Sequence, residues 1–157
     1  LVGSEMCIRD SHSCAFRQWR ADSHCNLIHG YALQFEFTFG CDHLDERNWA
    51  VDFGGLKPLK EWLKLMFDHT YLVAEDDPEM DTVLMLQEKK LVDMRVVDAT
   101  GCERFAEMAF DEAERIVNDI SNGRCWVQKV TVKEHDANSA TCELADTQKI
   151  RFVDSEK

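Results

Sequence analysis

Net positive charge is what this 157-residue chain most plainly lacks: 18 lysines and arginines stand against 30 aspartates and glutamates, for a formal charge of -12. Such a surface repels phosphate backbones instead of neutralising them, so nucleic acid is excluded as an expected partner. Long apolar runs are also missing. None approaches the roughly 20 residues of a membrane-spanning helix, so no membrane partner is expected. The seven cysteines include no CxxC pair, which removes the thiolate-rich pattern of structural zinc sites. Their odd number, their irregular spacing and the lack of a secretory signal pattern point to reduced thiols in a cytoplasm, not to a disulfide framework. Any metal would therefore rest on histidines. Internal repeats and low-complexity tracts do not occur.

What is present is the composition of one globular domain, 45% apolar and 31% charged, with enough chain for a sizeable core but not for two comfortable ones. Residues 1–11, LVGSEMCIRDS, have no periodicity and resemble translated adapter read-through, so the domain is placed at 12–157 and the first strand is expected to be cut short.

Along the rest of the chain two periods alternate. Tyr31, Leu33, Phe35, Phe37 and Phe39 fall on one side of a strand over 31–39, with polar residues between them. Residues 40–48 read as a turn and 49–53 as a short partner strand closing a hairpin. Leu56, Leu59, Trp62, Leu63, Met66 and Phe67 then recur at helical steps, with Pro58 in the first turn, where its missing N–H costs least. An acidic loop is expected over 68–81, a short helical piece over 82–90 and a strand over 91–97. A long helix over 103–120 carries Phe105, Ala109, Ala113, Ile116, Val117 and Ile120 on one stripe and stops at Asn122-Gly123. Residues 126–135 return to a strand, with Trp126, Gln128, Val130, Val132 and Glu134 on one face, and 139–144 pair back on it. Strands joined mainly by hairpins around two helices imply an α+β domain, its helices packed on one face of an antiparallel sheet.

Three groups of residues can carry chemistry. In His24-Cys25-Asn26-Leu27-Ile28-His29-Gly30-Tyr31, a loop enters the long strand with His29 and Tyr31 on one face; a buried cysteine beside an incidental histidine is the plainer reading. Asp68-His69 follows the first helix, where an acid can orient an imidazole for proton transfer, or the histidine can simply meet the helix dipole. Glu134 shares the face of Val130 and Val132, where a carboxylate needs hydrogen-bond donors. A flat heterocycle with adjacent N–H groups would supply them in pairs; otherwise the strand ends there and Glu134 is exposed.

Taken in order, CNLIHGY, VDFGGLK, FDHT and VKEHDANSA resemble the 6-pyruvoyl and 6-carboxytetrahydropterin synthase family. The resemblance implies a tunnelling fold whose sheets assemble from several subunits into a barrel, with active sites between the subunits of a homo-oligomer. It implies a pterin triphosphate substrate, 7,8-dihydroneopterin triphosphate, with Cys25, Asp68 and His69 in catalytic roles and Glu134 and Glu103 binding substrate. In the carboxy-forming branch the lyase product feeds 7-deazapurine synthesis, including queuosine; in the pyruvoyl branch the three-carbon side chain is retained. The carboxy-forming branch is the leading reading, with the pyruvoyl branch and a metal-free pterin-binding protein without turnover as the alternatives. Outside the family, a thiol hydrolase built on Cys25, His69 and Asp68 is the rival.

The resemblance also implies zinc held by three histidines, one in the first strand and two in a His-Gly-His. Those positions carry Phe16, His29 and Tyr31 here. His29 is the retained metal ligand and His24 the candidate substitute, a set of two where a catalytic zinc site has three protein ligands. Thr100-Gly101-Cys102-Glu103 departs from the family's Pro-Thr-x-Glu but keeps the acid. Arg17, Arg20, Lys129 and Lys133 are cations within reach of a phosphate role, and nothing in their spacing singles them out.

Overall fold

The computed structural model describes residues 6–135 and 137–145. Alternation over 31–39 becomes the middle of β2 (His29–Cys41), whose Leu33, Phe35, Phe37 and Phe39 are fully buried. On one side β2 pairs antiparallel with β1 (Met6–Phe16), from Met6 opposite Phe39 to Phe16 opposite His29. Residues 6–11, set outside the domain by the sequence reading, thus form the first half of a strand; this concerns their place in the fold, not their origin. On the other side β2 pairs with β5 (Cys125–His135), and β5 with β6 (Asn138–Glu143), all antiparallel.

The full sheet runs β4-β3-β1-β2-β5-β6. β3 (Thr70–Ala74) and β4 (Met94–Val97) join it parallel, β3 to β1 and β4 to β3. The expected antiparallel sheet is therefore correct for four strands and becomes mixed at one edge, where α2 (Met80–Glu88) supplies the crossover that parallel pairing requires.

Helices α1 (Lys57–Phe67) and α3 (Cys102–Ser121) cover one face of the sheet, as the helical stripes predict. A chain of rings ties them down: Phe35 to Phe67 at 4.7 Å between centroids, Phe67 to Phe105 at 5.3 Å and Phe105 to Phe16 at 5.0 Å. The third helix, α2, packs its Val83 against Tyr71 and Val73, while Leu72 belongs to the main core. Because neighbouring strand residues point to opposite faces, α2 lies on the other side of the sheet.

Three sequence expectations are corrected. Residues 49–53 form no strand, since β1 and β5 already occupy both edges of β2. The backbone there is satisfied by side chains instead: Asp45 Oδ1 accepts from the N–H groups of Arg47 and Trp49 at 2.8 and 2.9 Å, and Arg124 donates to the carbonyls of His43 and Ala50 at 2.6 and 2.8 Å. The acidic loop over 68–81 contains β3, all five of whose residues are buried. A strand covered on both faces has no polar alternation to betray it. In β5, Phe39 lies opposite Val127 and Thr38 opposite Lys129, so Gln128 is skipped in a bulge. Cys125 and Val127, not Trp126 and Gln128, therefore share the buried side with Val130 and Val132.

Candidate active site

The loop from β1 to β2 contains a single 3-10 turn, His24–Asn26. It is capped by Ser23, whose Oγ accepts from the Cys25 N–H at 3.3 Å, and anchored by Gln18, whose N–H donates to the Cys25 carbonyl at 2.8 Å. Arg17 holds the turn from below. Its guanidinium donates to both oxygens of Asp77 at 2.9 and 2.6 Å and to the Asn26 side-chain oxygen at 3.1 Å. The Asp77 side chain is only 1% exposed, and the Arg17 guanidinium holds its carboxyl below the usual range. Arg17 is thus committed inside the protein, and Arg20 and Lys133 pair with Asp76 and Glu36.

Where β2 begins, Tyr31 is the centre of a cluster. Its ring stacks on Phe16 at 3.9 Å and 10° and lies 4.5 Å from the ring of His29. Burial, with Glu134, Cys25, Cys102 and Cys14 as charged or ionisable neighbours, pushes the phenol up to about 12, so it remains a donor through neutral pH. Glu134 is half-buried on β5. Burial pushes the Cys102 thiol up, and so does the neighbouring Glu134 carboxylate. Burial likewise pushes Cys14 up to about 12. Of the three cysteines around Tyr31, Cys14 and Cys102 are buried and Cys25 is half-buried, which leaves Cys25 as the thiol open to a ligand.

The start of α3 completes this corner. Gly101 has φ 131°, a backbone conformation that favours glycine, and a Cβ there would also have to displace the end of the Gln18 side chain, 2.6 Å away. Thr100 Oγ donates to the Arg17 carbonyl at 2.6 Å.

Cys25 and Glu134 are therefore brought to one cluster. His29 borders it, with Nδ1 2.7 Å from the Leu27 carbonyl. His24 and Glu103 face solvent. Asp68 and His69 lie elsewhere: the His69 N–H donates to the Ser13 carbonyl at 2.7 Å, and its Nδ1 is 3.0 Å from Asp68 Oδ1. The His69 side chain is 85% exposed beside a hollow lined by Gln87, Lys90, Leu91, Val92 and Asp93, none of which belongs to the Cys25 cluster. Its backbone is left-handed, φ 58°, an unfavourable place for a side chain. Nothing in the packing explains a histidine there.

Sequence reasoning missed Cys102 and the Arg17–Asp77 clamp. Cys102 precedes the helical stripe by one step, and only its contact with Glu134 marks it. Asp77 sits in an acidic run, where composition implies solvent.

A three-histidine zinc site does not fit these residues. Phe16 has no donor atom and is fully buried, and among the described residues no three His, Cys, Asp or Glu side chains group as metal ligands.

The chain matches the family model described as 6-pyruvoyl tetrahydropterin synthase over residues 5–145. Two curated proteins named 6-carboxy-5,6,7,8-tetrahydropterin synthase are similar to a shorter stretch: that of Rickettsia conorii is 33% and that of Rickettsia felis 32% identical over 57 residues, 36% of this chain. That stretch spans 41% of each relative's length. Among solved structures, an uncharacterized protein from Wolinella succinogenes superposes with TM-score 0.79 at 16% identity, covering 92% of this chain and all of that one. The 6-pyruvoyl tetrahydropterin synthase of Caenorhabditis elegans gives 0.64 at 18% identity, covering 91% and 96%. That of Plasmodium falciparum gives 0.64 at 13%, covering 90% and 98%. At these identities the structures establish the fold alone, and the fold is the tunnelling fold expected from the sequence.

Proposed function

The chain belongs to the 6-pyruvoyl tetrahydropterin synthase family, and on that premise we propose that it is a lyase of the 6-carboxytetrahydropterin synthase type, acting on 7,8-dihydroneopterin triphosphate in 7-deazapurine (queuosine) synthesis. The carboxy branch is preferred over the pyruvoyl branch because the curated relatives carry the carboxy name.

The observation that carries this reading is the placement of Glu134. Glu134 is half-buried beside the Tyr31 phenol and the Cys102 thiol, both of which keep their protons through neutral pH, and a carboxylate drawn partly out of water needs hydrogen-bond donors. The paired N–H groups on the pyrimidine edge of a pterin supply them bidentately. This seats the heterocycle next to Cys25, the accessible thiol of the cluster, which moves a proton on the side-chain carbons of the substrate. Asp68 and His69 serve as the second proton carrier. They are displaced from Cys25 within one chain, so the complete site combines Cys25 of one subunit with the Asp68-His69 pair of another in a cytoplasmic homo-oligomer.

Incubation with 7,8-dihydroneopterin triphosphate and separation of products by mass spectrometry tests the reading. The expected product is 6-carboxytetrahydropterin, with activity lost in Cys25→Ala and with pterin binding weakened at least about tenfold in Glu134→Gln, the scale of one charge-assisted bond. A pyruvoyl product moves the chain to the other branch. Unchanged pterin affinity in Glu134→Gln would reject the site.

A further inference from the structure

At the three positions where the family resemblance implies histidines, this chain has closed the space with packing. Phe16 lies opposite His29 in the β1–β2 register, and Tyr31 follows two residues later on the same face of β2. The three side chains are therefore immediate neighbours, as a ligand set would need to be. They are not a ligand set. The Phe16 ring is fully buried, stacked at 3.9 Å on Tyr31 and edge-on to Phe105 at 5.0 Å. Phe105 in turn meets Phe67, so the Phe16 ring is part of the contact that seats α3 on the sheet. Tyr31 has Phe16 against one side and His29 4.5 Å away. His29 has one ring nitrogen against the Leu27 carbonyl, which leaves a single nitrogen for any other partner. His24 points to solvent from its 3-10 turn.

From this we infer that the chain holds its ligand without a metal ion: the Phe16–Tyr31 stack fills the zinc position, and the ligand is bound by Glu134 and the donors around it. The inference rests on the pterin reading for the identity of the ligand but not for the metal. One nitrogen and one phenol cannot assemble the three nitrogen or thiolate ligands that zinc takes from a protein. Opening room for a third would require turning out a ring on which the core depends.

The test is elemental analysis of protein expressed with excess zinc and desalted, together with fluorescence titration of 7,8-dihydroneopterin in the presence of zinc or of a chelator. The expected results are less than about a tenth of a zinc per chain and pterin affinities equal within about twofold under the two conditions. A graft that restores the histidines, Phe16→His with Tyr31→His, is expected to raise the content toward about one zinc per chain, lost again when His29→Ala is added. If the graft fails to fold, the wild-type chain still decides. About one zinc per wild-type chain, removed by His29→Ala, overturns the inference, as does pterin binding that the chelator abolishes. Low zinc together with no pterin binding in either condition upholds the metal-free site and sinks the pterin reading alone.

Discussion

Phe16 and His69 show how differently two residues of one chain are constrained. Phe16 has every side of its ring covered by Tyr31, Phe105 and the strands beside it, so Phe16→Ala should leave a cavity and cost about 3–5 kcal/mol in urea unfolding. His69 has an exposed side chain and a left-handed backbone. His69→Gly exchanges steric strain for backbone entropy, terms of about 1 kcal/mol each, so stability should stay within about 0.5 kcal/mol of wild type while product formation collapses. A large loss of stability would instead make His69 a structural residue. Both residues were visible in the sequence, but for Phe16 only as a departure from a pattern. That its ring stacks on Tyr31 follows from the register of β1 against β2, which no local spacing reveals.

At the scale of elements, the turn carrying Cys25 is held by a clamp between β1 and the segment after β3. Removing the charge of Asp77 leaves Arg17, whose side chain is 17% exposed, without its partner. Asp77→Asn should therefore destabilise by roughly 1–3 kcal/mol at neutral pH, below the full cost of breaking a wholly buried pair. The pH dependence has a definite sign. Arg17 holds the Asp77 carboxyl below its ordinary value, so the unfolded chain takes up the proton first as the pH drops. The stabilisation is complete above about pH 5 and fades as the pH falls through the lowered value. The stability gap between wild type and Asp77→Asn, followed by urea melts from neutral pH downward, should shrink on the acid side. A constant gap would show that Asp77 acts through packing and not through charge. The same segment shows why β3 went unseen. Burial on both faces removes alternation, and the acids that follow it suggest solvent, although one of them, Asp77, is buried in the clamp.

Across the whole molecule, one end of the sheet carries the Cys25 cluster on β2, β5 and α3, while Asp68-His69 enters β3 on the far side of β1. If complete sites form between subunits, Cys25→Ala and His69→Ala chains, each inactive, should complement one another on mixing and reassembly. Random pairing leaves roughly a quarter of the sites with both groups intact. Two inactive variants that stay inactive after mixing, despite a shared oligomer in light scattering, would place both groups in one chain or exclude one of them from the chemistry. Among the described residues β4 and β6 are the edge strands of the sheet, each with one unpaired side, and such edges are the natural joints for an assembly of that kind.

Local chemistry alone determined the alternating strand over 31–39, the amphipathic helical stripes from Leu56 to Phe67 and from Phe105 to Ile120, and the ordered set of Cys25, Asp68, His69 and Glu134 that carries the family resemblance. Periods of two and 3.6 are written in neighbouring residues, and so are motifs. Only the tertiary structure decided that β3 runs through the centre of an acidic stretch, that Gln128 is bulged out, and that Cys102 reaches Glu134. It also decided that the Phe16 ring is buried and stacked on Tyr31. Each of these depends on which strand lies beside which, a long-range choice made by pairing and packing that no window of sequence contains.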